Sequence, residues 1–85
     1  MDREAALSRI AVVLEPYLGA TMATASTRAH CEKLGIAPGP MSGEQMESLL
    51  AKLQAGLAVF VGRDKVARVL AEIRAALGSA QASRP

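Results

Sequence analysis

Apolar residues recur at three- and four-residue intervals through most of this 85-residue chain, in four stripes separated by punctuating residues. The first stripe, Leu7, Ile10, Val13 and Leu14, follows Asp2, whose carboxylate suits the free amides of a helix beginning at Arg3, with Glu4 near the positive helix end. Pro16 disfavours the α conformation at Glu15, and Gly19 comes three residues later. The spacing therefore predicts that the helix stops at Pro16 and that residues 15–19 form a tight corner. A second helix is expected over residues 20–34, ended by Gly35 at a left-handed position with Ile36 folding back as its hydrophobic partner. The segment APGPMSG, residues 37–43, is too rich in Pro and Gly for regular structure.

Ser42 and Gln45 have the spacing of a capping box and open a third helix near Gly43. Its stripe of Met46, Leu49, Leu50, Leu53, Leu57 and Phe60 reads as the main wall of the core. Gly56 interrupts that helix at a cost of about 1 kcal/mol relative to Ala, which a close crossing there would offset. Gly62 ends the run, and Asp64 is a suitable N-cap for a fourth helix carrying Val66, Val69, Leu70, Ile73 and Leu77 and closed by Gly78. No segment alternates with the period of a strand. The expected fold is all-α: a compact four-helix domain over residues 1–78 with one longer Pro/Gly loop, and a disordered tail over 79–85 that has nothing to bury.

The second helix is unusual in its side chains. Between Leu18 and Leu34 only Met22 is a large aliphatic; the rest are mostly Ala, Ser and Thr. Small side chains let another backbone approach closely, which suits a central helix, and Met22, Ala25 and Ala29 at helical spacing are the expected nesting face.

Length narrows the range of functions. A single domain of this size buries little more than its chain entropy requires, so disulfides, metals or self-association often reinforce it. Cys31 is the only cysteine, which excludes an intrachain disulfide and a thiolate cluster and leaves self-association. A two-fold homodimer is the commonest closed solution, and the third and fourth helices carry more apolar surface than one small core needs, with Val59 on the outward side. The N-terminal apolar run is too short and too interrupted for a signal peptide or a membrane span, so a cytoplasmic location without membrane attachment is expected.

Candidate chemistry is sparse. His30, Cys31 and Glu32 are adjacent, but neighbouring helix positions point about 100° apart and the chain holds no second His or Cys to complete a site. Cys31 reads as a small core residue and His30 as a residue of the helix edge. Ser26 and His30 are four apart, yet no third group orients them as nucleophile and base. GRDK, residues 62–65, lacks the glycine spacing and the Lys-Ser/Thr pair of a phosphate loop. The chain is accordingly read as neither an enzyme nor a holder of a metal or cofactor.

Arg63, Lys65 and Arg68 form a candidate basic patch at the start of the fourth helix, which Asp64 and Glu72 interrupt. With Val59 they are the candidate partner-binding residues. A formal net charge of only +2 and just two aromatics, Tyr17 and Phe60, argue against nucleic acid as the partner. A helical nucleic-acid-binding protein using this patch, together with Arg28, is the alternative.

LEPYLG, residues 14–19, resembles the Leu-x-Pro-Tyr-Ile-Gly-Pro corner of small helical domains at the ends of some bacterial signalling proteins, including Ser/Thr kinases, and in stand-alone prokaryotic proteins. Leu14, Pro16, Tyr17, Leu18 and Gly19 match, and FVGRDKVARVLAEI after a Leu-rich helix is similar in layout. Ala20 replaces the usual proline, and the APGPMSG loop is longer than in the kinase-linked versions. The resemblance implies a signalling or scaffold role without chemistry of its own. The function expected is a non-catalytic interaction module that docks a larger signalling protein, such as a kinase, a response regulator or a regulator of small GTPases, and pairs with itself.

Overall fold

The computed structural model describes residues 2–81, which form four helices: α1 (Arg3–Leu18), α2 (Ala20–Lys33), α3 (Gly43–Val61) and α4 (Arg63–Gln81). The all-α, four-helix expectation is met, and the described residues contain no strand, only an isolated bridge between Asp2 and Pro40.

Most helix ends are where the capping residues put them. Asp2 accepts from the amides of Glu4 and Ala5 at the head of α1. Ser42 and Gln45 form a complete capping box: the Gln45 amide donates to Ser42 Oγ at 3.1 Å and the Ser42 amide donates to Gln45 Oε1 at 3.0 Å. Gly35 has φ +70°, and the Ile36 amide donates to the Cys31 carbonyl while the Ile36 side chain is buried, as a left-handed helix stop requires.

Three boundaries differ from expectation. Pro16 does not stop α1, which continues to Leu18. A proline this close to a helix end forfeits only the amide bond to Val12, and the Gly19 amide closes the last turn on the Glu15 carbonyl at 2.8 Å. The corner therefore shrinks from residues 15–19 to Gly19 alone, whose φ of +85° reverses the chain in one step. Asp64 is not the N-cap of α4. Gly62, at φ +86°, makes the second one-residue corner, and its carbonyl accepts from Lys65 and Val66, so the helix starts at Arg63 with Asp64 in its first turn. Helical backbone also passes through Gly78 to Gln81; the rest of the expected tail, residues 82–85, lies outside the described residues.

The two one-residue corners make two helical hairpins. Arg28 of α2 grips Glu4 of α1 at 2.9 and 3.3 Å, and Arg74 of α4 grips Glu47 of α3 at 2.8 and 3.0 Å. Both pairs are bidentate but exposed, so they fix register more than they add stability. The hairpins meet where α1 packs on α4 and, less extensively, where α2 packs on α3. His30, near the end of α2, meets α3 at Gly56, roughly 20 Å beyond the start of α3. An aligned up-and-down bundle would bring His30 to the opening turns of α3 instead, so the hairpins cross as two layers, in keeping with overall dimensions of 34 × 30 × 22 Å.

The core lies between these layers. Leu7, Ile10 and Leu14 of α1, Leu49, Leu50, Leu53 and Leu57 of α3, and Val66, Val69, Leu70, Ile73 and Leu77 of α4 are buried, as their spacing predicts. From α2 the buried residues are Ala23, Thr27 and Cys31, not the expected Met22, Ala25 and Ala29. Thr27 passes for a surface residue in the sequence, but its hydroxyl donates to the Ala23 carbonyl at 2.8 Å, which satisfies it inside the core. Met22 is 47% exposed. Phe60 is also misplaced by the sequence pattern, being exposed at the end of α3.

Arg3 joins the link between hairpins to the start of the chain. Its side chain is buried; Nη1 donates to the Ile36 carbonyl at 2.8 Å, and its backbone amide donates to the Gly39 carbonyl at 2.8 Å. Nε makes no hydrogen bond and lies 3.6 Å from Glu4 Oε2.

The capping box gives a direct check on this layout. Ser42→Ala should lower unfolding free energy by about 1 kcal/mol, whereas Ser48→Ala, on the exposed side of α3, should change it by a few tenths at most; urea denaturation of both variants measures the difference.

Candidate interaction surface

The end of α3, next to the start of α4, carries the most exposed large apolar residue among the described residues. Phe60 follows Leu57 by three residues and Leu53 by seven, so it keeps the azimuth of the buried stripe. The His30 ring of α2 meets α3 at Gly56, where it would lie 3.3 Å from an added Cβ. One turn further on, Val61 still packs against the core, but Phe60 beside it is 63% exposed. Val59 beside it is 83% exposed.

All four sequence-predicted partner-binding residues, Val59, Arg63, Lys65 and Arg68, are exposed. They do not form one uniform patch. Arg63 and Lys65 lie in the first turn of α4, just after the Gly62 corner, and make no ion pair among the described residues. Arg63 also lines a shallow groove of about 490 Å³ between α3 and α4, walled by Ala51, Ala55, Ala58 and Ala67. Arg68 faces elsewhere: its Nε is 3.9 Å from Glu72, whose carboxylate accepts from Tyr17 Oη at 3.1 and 3.2 Å. That cluster ties α1 to α4. The bond to Glu72 holds the Tyr17 phenol above its ordinary pKa, because ionising it would remove the donated proton and set two negative charges together.

The residues weighed for chemistry take structural places. Cys31 is fully buried, and His30 donates through Nδ1 to the Ser26 carbonyl at 2.7 Å, not to its hydroxyl, leaving Nε2 toward Gly56. Arg28, considered for phosphate contact, holds Glu4, whose carboxyl it keeps below the ordinary range through these hydrogen bonds. Among the described residues no three His, Cys, Asp or Glu side chains gather as a metal would require, and no helix is long and apolar enough to cross a membrane.

One exposed apolar residue lies outside the four stripes. Val12 is 65% exposed on the outer face of α1, opposite Ile10 and Leu14, with shallow grooves on both sides. Its position two residues from each of those core residues is the only mark of its orientation in the sequence.

The chain matches no protein-family model, no curated protein and no solved structure.

Tyr17 is the only tyrosine and the chain has no tryptophan, so its titration is directly visible in ultraviolet absorbance. The phenol should ionise above the pH of free tyrosine, and Glu72→Gln should bring it back down. Since the folded-state pKa is the raised one, any stability this bond supplies is present below the unfolded tyrosine pKa and is lost as pH rises through the folded value.

Proposed function

We propose that this chain is a non-catalytic protein–protein interaction module of a bacterial signalling or scaffold system, which docks a larger cytoplasmic protein at the α3–α4 corner and also pairs with itself. The observation that carries the reading is the pair Val59 and Phe60: two adjacent large apolar side chains at 83% and 63% exposure, one of them on an uncovered continuation of the core stripe. Leaving such residues in water has no folding benefit, and clustered exposed apolar residues mark association sites. Arg63 and Lys65 form a charged rim beside them, the usual arrangement of an apolar centre with a polar edge.

The resemblance of residues 14–19 to the corner of kinase-appended helical domains supports a kinase, response regulator or small-GTPase regulator as the docked protein. Nucleic acid is the weaker reading, because of the four cations it would use, Arg28 and Arg68 each face a carboxylate and only Arg63 and Lys65 do not.

A photo-cross-linking amino acid at position 59, introduced in the native cell, should trap a discrete protein partner, and Phe60→Glu should abolish the adduct without changing helix content. Tight DNA binding whose salt dependence becomes shallower in Arg63→Ala would replace this reading with the nucleic-acid one.

A further inference from the structure

The groove between α3 and α4 is lined by Ala51, Ala55 and Ala58 on one side and by Ala67 and Arg63 on the other, and holds about 490 Å³. Ala51, Ala55 and Val59 follow one another at four-residue steps, so one exposed row on α3 runs along the groove and ends on a large apolar side chain. From Ala51 to Ala58 it extends roughly 10 Å, or two helical turns. Few modes of recognition suit such a surface. The described residues contain no strand, so no sheet edge is open to an added strand. A polyproline segment needs a groove framed by aromatics, and of the two aromatics in the chain Tyr17 is engaged with Glu72 on the side of α1. A helix remains: methyl side chains on both walls let its backbone approach α3 and α4 together, as a ridge seated in a groove.

Charge specifies the occupant further. Residues 48–63 contain two cations, Lys52 and Arg63, and no Asp or Glu. Both cations are exposed and neither makes an ion pair among the described residues, whereas Glu47, one turn before Ala51, is already held by Arg74. Asp64, in the first turn of α4, lies between Arg63 and Lys65 in the chain. We infer that the groove takes one amphipathic, acidic helix of the larger partner. Its apolar stripe seats on the alanines and against Val59, and a carboxylate on its flank pairs with Arg63 at the corner.

This inference rests on docking at the α3–α4 corner in the proposed function and names the chemistry of the partner's contact. A second copy of this chain is a poor occupant of the groove. A two-fold contact on this face gathers Lys52 and Arg63 of both copies, and residues 48–63 supply no acid to answer them.

The test is a selection from an unbiased displayed library of helical peptides against the full chain, with the affinities of enriched peptides measured by fluorescence anisotropy. Enriched sequences should share an apolar stripe at three- and four-residue spacing and carry Asp or Glu above the library's own frequency. Ala55→Gln fills the groove without altering charge, and Arg63→Glu reverses the cation; each should weaken binding by about tenfold or more. Both positions are exposed, and circular dichroism identifies any variant that fails to fold, with Ala51→Gln as a second groove-filling change. Arg9→Glu makes the same charge change on α1 and should leave affinity unaltered; a loss equal to that of Arg63→Glu would reduce the effect to net charge and overturn the inference. Binders without acidic residues, or binders indifferent to Ala55→Gln and Ala51→Gln, also overturn it. A selection that returns no binder, beside a discrete adduct at position 59 in the cell, removes the helical occupant and leaves docking at the corner standing, whereas the absence of both removes the docking itself. Binding to phosphatidylserine vesicles that is lost in Phe60→Glu, with no peptide enriched, would assign the corner to a membrane surface instead.

Discussion

Three small side chains on α2, Ala23, Thr27 and Cys31, set how near α1 can come, and the architecture follows from that approach. All three are fully buried, with Ala6, Ile10 and Leu14 of α1 equally buried in the same core. Larger residues on this face would hold the two helices apart, and the one-residue corner at Gly19 has no slack to absorb the separation. The Glu4–Arg28 pair then locks the register at the open end of the hairpin. Arg3 extends the constraint to the connecting segment by holding the Ile36 and Gly39 carbonyls.

A closely packed first hairpin makes a thin layer, and a thin layer crossing the longer α3–α4 hairpin cannot cover all of it. Beyond the His30 contact at Gly56, Leu57 is buried and Val61 packs against the core, while Phe60 on the same stripe is exposed. α1 packs on α2 and on α4, and its outer ridge at Val12 is left uncovered.

The sequence was most legible where a local rule decides the outcome. Asp2, Ser42 with Gln45, and Gly35 with Ile36 act within a turn of their own position, and the stripes of α3 and α4 point inward whatever they meet. Gly56 was legible for the same reason, since a helix-interior glycine needs a close neighbour to offset its cost, and His30 is that neighbour. The failures are residues whose role is set at a distance. Pro16 is tolerated because α1 ends two residues later at Gly19, and Asp64 loses the cap to the positive φ of Gly62. Phe60 has core periodicity but lies past the crossing, and periodicity carries no information about where a neighbouring helix stops. On α2 the apolar count favoured the Met22 side, whereas the chosen face holds a threonine that satisfies its own hydroxyl. The burial of Arg3 is likewise invisible in the chain, because its acceptors are backbone carbonyls more than thirty residues away.

The close approach of α1 and α2 is tested most directly by paired substitutions on the two faces of α2, with unfolding free energies from chemical denaturation. Ala23→Leu adds bulk between the helices and should cost about 1–3 kcal/mol, while Ala25→Leu points to solvent and should change stability by no more than about 0.5 kcal/mol. A stable Ala23→Leu variant beside a strongly destabilised Ala25→Leu variant would contradict the account, since it would place the opposite face of α2 against α1.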